Sequence, residues 1–505
     1  MPELSCVIRL HPKDNVVVAR RDLAAGEFLE EEGISSLEAV PAGHKLATSP
    51  IPEGSPVRKY DQVIGRATCH IRAGAYVHTH NLCAGDFQKD YAPGSRSRPT
   101  EFVSSQERAV FQGILRKGGK VGTRNYIGIL STVNCSATVS RAIAEAFKGE
   151  ENPGVDGVVA LVHGEGCATG VAGEEFEAFQ RVFRGYMAHP NFAAVLLVGL
   201  GCEVNQVEGL LRDLGRQEDK PVQGLLIQEK GGTRKSVEAG VDMVREMLKQ
   251  AGSVKRVPVS AEHLVLGVEC GGSDAYSGIT ANPALGVAAD LLVAQGGTVV
   301  LGETPEIYGA EHLLTQRAVS EEVALKLLER IRWWEDYVRR NRGDMDNNPS
   351  PGNKAGGLTT ILEKSLGAFS KGGTTNLVEV YRYADPVSAK GLVFMDTPGY
   401  DPASVTGMVA GGANMIAFTT GRGSAFGCKP VPVLKLATNS HVYAAMQEDM
   451  DIDCGTVLEG MESIRDVGRR IFLEILDVAS GKKSKSELLG YGDLEFVPWR
   501  MGAMM

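Results

Sequence analysis

Long apolar runs are missing from this 505-residue sequence, which has no uninterrupted stretch of the about 18 apolar residues that a membrane-spanning helix needs. The first residues, MPELSCVIRLHP, place proline and glutamate before any apolar run and give no indication of an export signal. Basic residues are also fewer than acidic ones. The sequence has 53 Lys and Arg and 62 Asp and Glu, which gives a formal net charge of -9. Nucleic-acid binding depends on a basic surface, which this balance disfavours. We therefore expect a cytoplasmic protein that binds neither membrane nor nucleic acid.

Cysteine is too scattered for a disulfide framework. The nine cysteines are an odd number spread along the chain, so we expect reduced thiols or metal ligands. Glycine, by contrast, is abundant: 61 of the 505 residues are glycine, which is about 12% against a usual share of about 7%. Many glycines follow apolar runs, where the backbone must turn sharply or approach a ligand. The length and the 43% of hydrophobic residues predict a globular protein of roughly two to four domains.

The pattern along the chain predicts a multidomain α/β protein. Residues 1–85 alternate short β-type runs with turns and predict a small all-β module. Residues 86–106 are polar and rich in Ser, Pro and Arg, which predicts a flexible linker. Strand-like apolar runs then alternate with amphipathic helical segments, which predicts two α/β domains with mainly parallel sheets over 107–255 and 260–505. Within the last domain, residues 343–373 look irregular, as functional loops often do.

Four cysteines each follow a predicted buried strand: Cys135, Cys167, Cys202 and Cys270. Ligand crevices of open α/β sheets lie beyond the carboxyl ends of the strands, so these thiols are expected to converge on one metal site at a domain interface. The alternative is that each cysteine is an ordinary small buried residue.

The segment HGEGC places His163 and Glu165 just before Cys167. An imidazole, a carboxylate and a thiol on one turn suit a borderline-soft divalent metal such as iron. His163 could equally be a hydrogen-bonded structural residue at a strand end.

Two further pairs of polar residues are candidates for substrate contacts. His78 and His80 share one face of a predicted strand in VHTHN, where they could bind metal, guard an entrance or simply be solvated. Arg422 and Lys429 in GRGSAFGCK could clamp a carboxylate or be two solvated cations in a turn. The glycine-rich turns match neither the dinucleotide-binding nor the phosphate-loop pattern, which argues against NAD and ATP.

Taken together, the motifs resemble the altronate/galactarate dehydratase family over essentially the whole chain, and altronate dehydratases most closely. The segments that carry the resemblance are DNVVVA, GHKLA, VHTHN, VGTRNY, TVNC, VHGEGC, VGLGCE, ECGGSDAYSGITANPALG, GAEHLL, NPSPGNKAGGLTTILEKSLG, FTTGRGSAFG and MDIDCGT. One departure is Glu165, where the family usually has an aromatic residue.

The resemblance implies a β-clip N-terminal module, a middle domain that makes dimer contacts and a Rossmann-like C-terminal domain. It also implies dehydration of an aldonate or an aldarate by a homodimer with a divalent metal, Fe2+ first, with Mn2+ or an iron–sulfur cluster as alternatives. The other functions left open are galactarate dehydratase, a sulfolactate sulfo-lyase-like enzyme and a non-catalytic sugar-acid sensor.

Such a dehydration removes a weakly acidic C2 proton and expels the C3 hydroxide, so it needs a positioned base, an acid and charge stabilisation. The catalytic candidates are His163 as base or metal ligand, Lys354 as a cation near the enolate, and Arg422 as a carboxylate partner. The substrate-binding candidates are Arg124, Asn125, Asp274, Lys429, His78 and His80. The metal-ligand candidates are His163, Cys135, Cys167, Cys202 and Cys270.

Overall fold

A computed structural model describes residues 4–85, 89–168, 170–215 and 220–501. It confirms the predicted fold class, with a small all-β region followed by two α/β domains built on parallel sheets. Within the described residues, no helix combines the length and the apolar character needed to cross a bilayer.

The N-terminal module contains only short strands, joined by tight turns. Its sheets have the orders β1-β2-β5-β8 and β6-β7-β9, and β3 and β4 form a separate hairpin. Gly74 shows why glycine is needed in these turns, because a Cβ at this position would lie 2.1 Å from the carbonyl oxygen of Ser35. The strands are β1 (Val7–Ile8), β2 (Val16–Ala19), β3 (Phe28–Leu29), β4 (Ile34–Ser35), β5 (Lys45–Ala47), β6 (Pro56–Lys59), β7 (Gln62–Ala67), β8 (Tyr76–Val77) and β9 (Leu82–Cys83).

The middle domain is a four-stranded parallel sheet of order β13-β12-β14-β15. Its strands are apolar on both faces because helices cover both, α1 and α5 on one side and α2 and α3 on the other. A small antiparallel sheet, β11-β10-β16, lies beside it. The strands are β10 (Val110–Leu115), β11 (Val121–Gly122), β12 (Tyr126–Ser131), β13 (Gly157–Leu161), β14 (Phe192–Gly199), β15 (Val222–Leu226) and β16 (Val257–Ser260). The helices are α1 (Ala137–Glu145), α2 (Glu174–Ala188), α3 (Val207–Leu214), α4 (Ile227–Lys230) and α5 (Thr233–Ala251).

The C-terminal domain is built on a seven-stranded parallel sheet of order β19-β20-β18-β17-β21-β22-β23. The chain leaves β17 toward β18 on one side and later returns to β21 on the other, so a topological switch point lies between β17 and β21. The strands are β17 (Val265–Cys270), β18 (Thr298–Leu301), β19 (Leu377–Tyr381), β20 (Gly391–Met395), β21 (Met415–Thr420), β22 (Val433–Ala437) and β23 (Ile452–Asp453).

Helices cover both faces of the large sheet. Helices α6 and α13 pack on one face, whereas α11 packs on the other together with α2 of the middle domain. The shared core joins the two α/β domains. The helices are α6 (Ala281–Ala294), α7 (Glu311–Thr315), α8 (Glu321–Arg340), α9 (Pro351–Ala355), α10 (Ile361–Ala368), α11 (Asp401–Gly411), α12 (Ser440–Ala445), α13 (Ile464–Ala479) and α14 (Lys485–Leu488).

The segment 343–373 is more regular than the sequence indicates. It contains α9 and α10, and the side chains of Ser350 and Thr360 cap the first turns of these helices. The helices are too short to give a periodic apolar pattern, which explains why the segment looks irregular in the sequence.

The predicted linker has no helix or strand over 89–106, but its backbone is hydrogen-bonded to the C-terminal domain. The backbone N–H of Arg96 donates to the carbonyl of Gln316 at 2.7 Å, and that of Val103 donates to the carbonyl of Ala294 at 2.8 Å. The described part of this segment therefore lies along the C-terminal domain. Composition does not reveal these long-range hydrogen bonds, and the flexibility of the segment stays a prediction.

A buried ion-pair network docks the N-terminal module onto the C-terminal domain. Glu363 of α10 accepts from the ammonium groups of Lys45 and Lys59, each at 2.9 Å, and all three side chains are buried. Burial alone raises the pKa of Glu363, but the two ammonium groups outweigh it and hold the pKa well below its usual range. The carboxylate is therefore charged at neutral pH.

We predict that Glu363→Gln destabilises this docking strongly. The substitution keeps the shape but leaves two buried ammonium groups without their counter-charge, which costs about 3–5 kcal/mol. Thermal unfolding and limited proteolysis should show a lower Tm and earlier release of residues 1–85. Glu145→Gln, in an exposed pair with Lys148, is the matched control and should change neither measurement. An unchanged Tm for Glu363→Gln would contradict this account.

Candidate functional site

The carboxyl ends of β17, β18 and β20 bring together a cluster of buried acidic side chains. The thiol of Cys270 and the carboxylates of Glu303 and Glu306 have donor atoms within 4.8 Å of one another. Glu269, Glu303 and Asp401 form a second such group, so the two groups share Glu303. We call these five residues, with Lys364 and Lys371, the acidic cluster.

Lysines from the segment after α9 hold the carboxylates in place. Lys371 donates to Glu303 at 2.7 Å, and Lys364 donates to Glu306 at 2.6 Å. The backbone N–H of Cys270 also donates to Glu303 at 3.1 Å, and its thiol donates to Glu306 at 3.3 Å. Three separate stretches of chain thus build one buried polar site.

The acidic cluster carries more acidic groups than its lysines can neutralise. Burial, and then the charge of Glu303, raises the pKa of Glu269 far above its ordinary value. Burial and the same neighbouring charge raise the pKa of Asp401 to about 7. Glu306 behaves differently: burial raises its pKa, but the charges of Lys364 and Lys371 and the hydrogen bonds from Lys364 and Asn348 together outweigh burial and lower the pKa. Without a further cation, part of the cluster must hold protons.

These residues fit a divalent metal ion. Among the described residues, Oε1 of Glu269 and Oε1 of Glu303 are buried oxygens without a hydrogen-bond partner. Glu303 also has a left-handed backbone, with φ of 61°, which is costly for a residue other than glycine. Carboxylates with one thiol form a donor set that suits Fe2+ or Mn2+.

Two glycines connect the acidic cluster with a neighbouring cavity. A Cβ on Gly271 would lie 2.4 Å from Oδ2 of Asp401, and a Cβ on Gly272 would lie 3.4 Å from the Cβ of Arg422. A side chain at Gly271 would clash with Asp401, and Gly272 has a φ of 62°, a conformation that residues with side chains rarely adopt. The cluster and the cavity therefore flank the same strand end.

The cavity measures about 610 Å³ and lies at the switch point between β17 and β21. We call it the polar cavity. Asp274 sits at its base and accepts hydrogen bonds from Ser277, Thr438 and Asn439. Burial raises the pKa of Asp274, and these hydrogen bonds oppose the shift. Its other polar lining residues are Arg20, Tyr276, Arg422, Ser440, His441 and Glu459.

The N-terminal module covers one side of this region with histidines. A ring nitrogen of His78 donates to the carbonyl of Lys354 at 2.9 Å, and His44 contacts the carbonyl of Ala355 at 3.3 Å. The two rings stack, with centroids 5.1 Å apart. His78 thus fixes the backbone of α9, whereas His80 is exposed and lies beside this contact. Lys354 belongs to that helix and is half-buried, so the same contact also positions its backbone.

Several predicted substrate ligands are engaged in packing instead. The guanidinium of Arg124 is buried and donates to Glu487 at 2.5 and 2.8 Å. Asn125 accepts from Arg116 at 2.9 Å. Lys429 forms an ion pair with Asp493 at 2.8 Å. The side-chain groups that suggested substrate binding thus bond to other parts of the chain.

His163 also has a structural environment. One ring nitrogen donates to the carbonyl of Ser131 at 2.9 Å, and the other accepts from the backbone N–H of Glu165 at 3.1 Å. Burial among Phe179, Phe183 and Phe496 lowers the pKa of His163 to about 4. Both nitrogens are occupied, so the structure does not offer His163 as a metal ligand or as a base.

The four strand-end cysteines separate into two places. Cys270 is buried in the acidic cluster, whereas Cys135, Cys167 and Cys202 are exposed at the edge of the middle sheet. In the described parts of the chain, the close donor groups include none of these three thiols. Cys270 therefore belongs to a different sheet from the other three cysteines, and a site shared by all four thiols stays a prediction.

Sequence reasoning missed most of the acidic cluster. Glu303 directly follows the apolar run GGTVVLG, and Glu306 comes three residues later, so the strand-end rule applied to the cysteines would have found them. Lys364 and Lys371 give no such signal, because they reach the site from α10 and the turn after it.

The environment of His163 predicts a pH-dependent stability. Its pKa in the folded protein lies below the ordinary 6.5, so from pH 6.5 down to about 4 the unfolded chain binds a proton that the folded protein does not. Stability should fall in this window by up to about 3 kcal/mol from this residue. Chemical unfolding should show a weaker loss between pH 7 and 5 for His163→Asn than for the wild type. His80→Gln, which removes an exposed ring, should keep the wild-type dependence; equal slopes for all three proteins would refute this prediction.

Comparisons with known proteins agree with this arrangement. Three family models match successive parts of the chain. The altronate/galactarate dehydratase SAF domain matches residues 5–84, the D-galactarate dehydratase/altronate hydrolase second domain matches 113–252, and the D-galactarate/altronate dehydratase C-terminal domain matches 261–504.

Curated relatives match along nearly the full length. The chain is 35% identical to the altronate dehydratase of Bacillus subtilis (strain 168), covering 96% of this chain and 97% of that protein. It is also 35% identical to the altronate dehydratase of Escherichia coli (strain K12), with 96% and 98% covered. Identity to the galactarate dehydratase (L-threo-forming) of Escherichia coli (strain K12) is 37%, with 94% and 93% covered. With matches of this extent in all three parts, the chain belongs to the D-galactarate/altronate dehydratase family.

Proposed function

We propose that this protein is a sugar-acid hydro-lyase that dehydrates an aldonate such as altronate, with an aldarate such as galactarate as the alternative substrate. The observation that carries the proposal is the acidic cluster, which adjoins a polar cavity at the switch point of a sheet. Family membership supports the same reaction. The C2 proton and the C3 hydroxide leave as water, and the resulting enol becomes a 2-keto-3-deoxy acid.

The metal in this proposal is a divalent ion held by Cys270, Glu303 and Glu306, with Glu269 and Asp401 close by. Fe2+ is preferred because the thiol is a soft donor among carboxylates, and Mn2+ is the alternative. When bound, such an ion supplies Lewis-acid stabilisation of negative charge on the substrate.

Lys371 is the proposed base that removes the C2 proton. Burial alone lowers the pKa of Lys371, but the neighbouring Cys270 and Glu303 outweigh it and raise the pKa. Lys371 can act as a base only when the charges of Cys270, Glu303, Glu269 and Glu306 around it are neutralised, because these charges raise its pKa. Asp401, with a pKa of about 7, is the proposed acid that protonates the departing C3 hydroxide.

The polar cavity supplies binding groups for the rest of the substrate. Arg422 is the proposed partner of the substrate carboxylate, because a guanidinium binds a carboxylate through two parallel hydrogen bonds. Asp274 and Asn439 offer acceptors and donors for sugar hydroxyl groups. Lys354 lies next to Ala355 at the rim and remains a candidate for contact with the enolate charge.

The cellular compartment and the oligomeric state are also proposed. The nine free thiols support a reducing compartment, such as the cytoplasm. A homodimer through the middle domain follows from the family resemblance.

We predict that Glu303→Gln abolishes turnover and weakens metal binding by at least about 10–100-fold, because it removes the carboxylate shared by both donor groups. Calorimetric titration with Mn2+ measures the affinity, and formation of 2-keto-3-deoxy acid with Fe2+ under reducing conditions measures turnover. Glu329→Gln, which changes an exposed glutamate of α8, should leave both unchanged. Full turnover of the Glu303 variant, or of chelated wild type, would overturn the metal assignment.

We predict that Arg422→Gln raises KM by about 10–100-fold with a smaller change in kcat, because a charge-assisted hydrogen bond contributes about 1.5–3 kcal/mol. Arg422→Lys should recover part of the loss, since it restores the charge without the planar fork. Lys429→Gln is a control from the same loop and should leave KM unchanged. An equal rise in KM for both residues would argue against a specific carboxylate contact.

The deciding experiment is turnover of a substrate panel by the iron-loaded protein under reducing conditions. The panel contains altronate, other aldonates, galactarate, other aldarates and sulfolactate. We expect a 2-keto-3-deoxy product from an aldonate. Release of sulfite from sulfolactate alone would indicate a sulfo-lyase, and binding without turnover would indicate a sensor.

A further inference from the structure

A second, larger cavity lies at the junction of the two α/β domains and measures about 730 Å³. We call it the junction cavity. Its lining comes from the turn before β11, the second half of α2, the end of α3 and the residues just before β17, β20 and β21. Because the lining contains the starts of these strands, the junction cavity lies at the amino edge of the C-terminal sheet. The acidic cluster lies at the opposite, carboxyl edge.

Helix α11 connects the two places. It begins at Asp401 in the acidic cluster and ends at Gly411, which lines the junction cavity. Its 11 residues span about 16 Å at about 1.5 Å per residue. The junction cavity is therefore separate from the catalytic site proposed above.

Much of the junction cavity is apolar. Helices α2 and α11 meet there so closely that a Cβ on Gly185 would lie 2.1 Å from the carbonyl oxygen of Ala410. Small-molecule sites of this size are usually lined mainly by apolar side chains, with a few polar groups that orient the ligand. The apolar lining residues are Val121, Ala188, Pro190, Leu214, Val265, Pro386, Val387 and Ala410.

The side chain of Asn414 holds three walls of the junction cavity together. Its oxygen accepts from the backbone N–H of Val265 at 2.9 Å. Its amide donates to the carbonyls of Val121 at 3.2 Å and of His263 at 3.0 Å. One side chain thus joins the starts of β11, β17 and β21, so the cavity is formed before any ligand enters, as ligand sites usually are.

Cations outnumber carboxylates around the junction cavity. Arg184 pairs with Asp213 at 2.8 Å, and Arg181 pairs with Asp385, outside the lining, at 3.2 Å. These two guanidinium groups therefore already have counter-charges. In the described parts of the chain, the charged lining residues are Lys120, Arg181, Arg184, Lys390 and Asp213.

The two lysines of the lining form no ion pair with any residue that the structure describes. The ammonium of Lys390 donates to the backbone carbonyl of Glu262, which precedes His263. Lys120 precedes Val121. Since Asn414 bonds to both His263 and Val121, the two lysines belong to the same part of the cavity. An anion bound there would supply the counter-charge that both lysines lack.

We propose that the junction cavity binds a small organic anion with an apolar body, such as an aromatic carboxylate. The anionic group lies against Lys120 and Lys390, and the body fills the apolar lining. A sugar acid fits this site poorly, because it carries hydroxyl groups on most of its carbons and an apolar lining leaves them without hydrogen bonds. The ligand therefore differs in class from the substrate proposed for the acidic cluster.

Isothermal titration calorimetry of the full chain with 2-naphthoate tests the proposal. We expect one site per chain. 2-Naphthamide keeps the apolar body without the charge, and acetate keeps the carboxylate without the body. Each should bind at least about 10-fold more weakly, because charge-assisted hydrogen bonds and apolar burial both contribute to the affinity. No binding of 2-naphthoate, or equal binding of 2-naphthamide, would overturn the proposal.

The variants Lys120→Gln and Lys390→Gln should each weaken 2-naphthoate binding by about 10-fold, because each removes one cation from the lining. Lys117→Gln is the matched control, since Lys117 is an exposed lysine of the same turn that does not line the cavity. It should keep the wild-type affinity. All three lysines are exposed, so we expect no change in folding. Wild-type affinity in both lining variants would contradict the proposal.

Two competing occupants give different results in the same titration. Displacement of 2-naphthoate by altronate would make the cavity part of the substrate site, and an affinity that falls as protein concentration rises would indicate a second copy of the chain. Either result would overturn the proposal. Glu303→Gln should bind 2-naphthoate like the wild type, which separates a failure of this proposal from a failure of the dehydratase assignment.

Discussion

The buried imbalance of charge in the acidic cluster is the constraint on which the rest of the site depends. Four carboxyl groups and one thiol share a water-poor space with two ammonium groups, and two carboxylate oxygens there have no partner among the described residues. Isolated buried charge is very costly, so the fold must either keep protons on these groups or admit a cation. The raised pKa values of Glu269 and Asp401 are the first solution, and a divalent metal would be the second.

The surrounding architecture keeps this site buried. The carboxylates stand at strand ends, and the lysines arrive on the segment that begins at α9 and ends after α10. The same segment carries Glu363, which anchors the N-terminal module through Lys45 and Lys59. Leu4, Arg20 and Ala42 of the module line one side of the polar cavity, and the strand end at Gly271 and Gly272 lies between the cavity and the acidic cluster.

Sequence patterns predicted the parts of this arrangement that are local. Alternating strands and helices indicated the fold, and the strand-end rule led to Cys270 in the acidic cluster. Asp274 and Arg422, also named from the sequence, line the polar cavity. The same rule misjudged His163, because its two backbone hydrogen bonds depend on a neighbouring strand and on its own turn. Lys364 and Lys371 were not predictable, since their pairing with Glu306 and Glu303 joins helical and strand segments about 60 residues apart, a scale at which sequence periodicity carries no information.

The central claim is that the metal and the substrate meet at the carboxyl edge of the C-terminal sheet. Anomalous X-ray diffraction at the manganese edge tests it directly, on crystals soaked with Mn2+ and a sugar acid that binds without reacting. The account predicts one strong peak among Cys270, Glu303 and Glu306, with the sugar-acid carboxylate in the polar cavity beside Arg422. A strongest peak at any other part of the chain, with the acidic cluster unchanged, would contradict it.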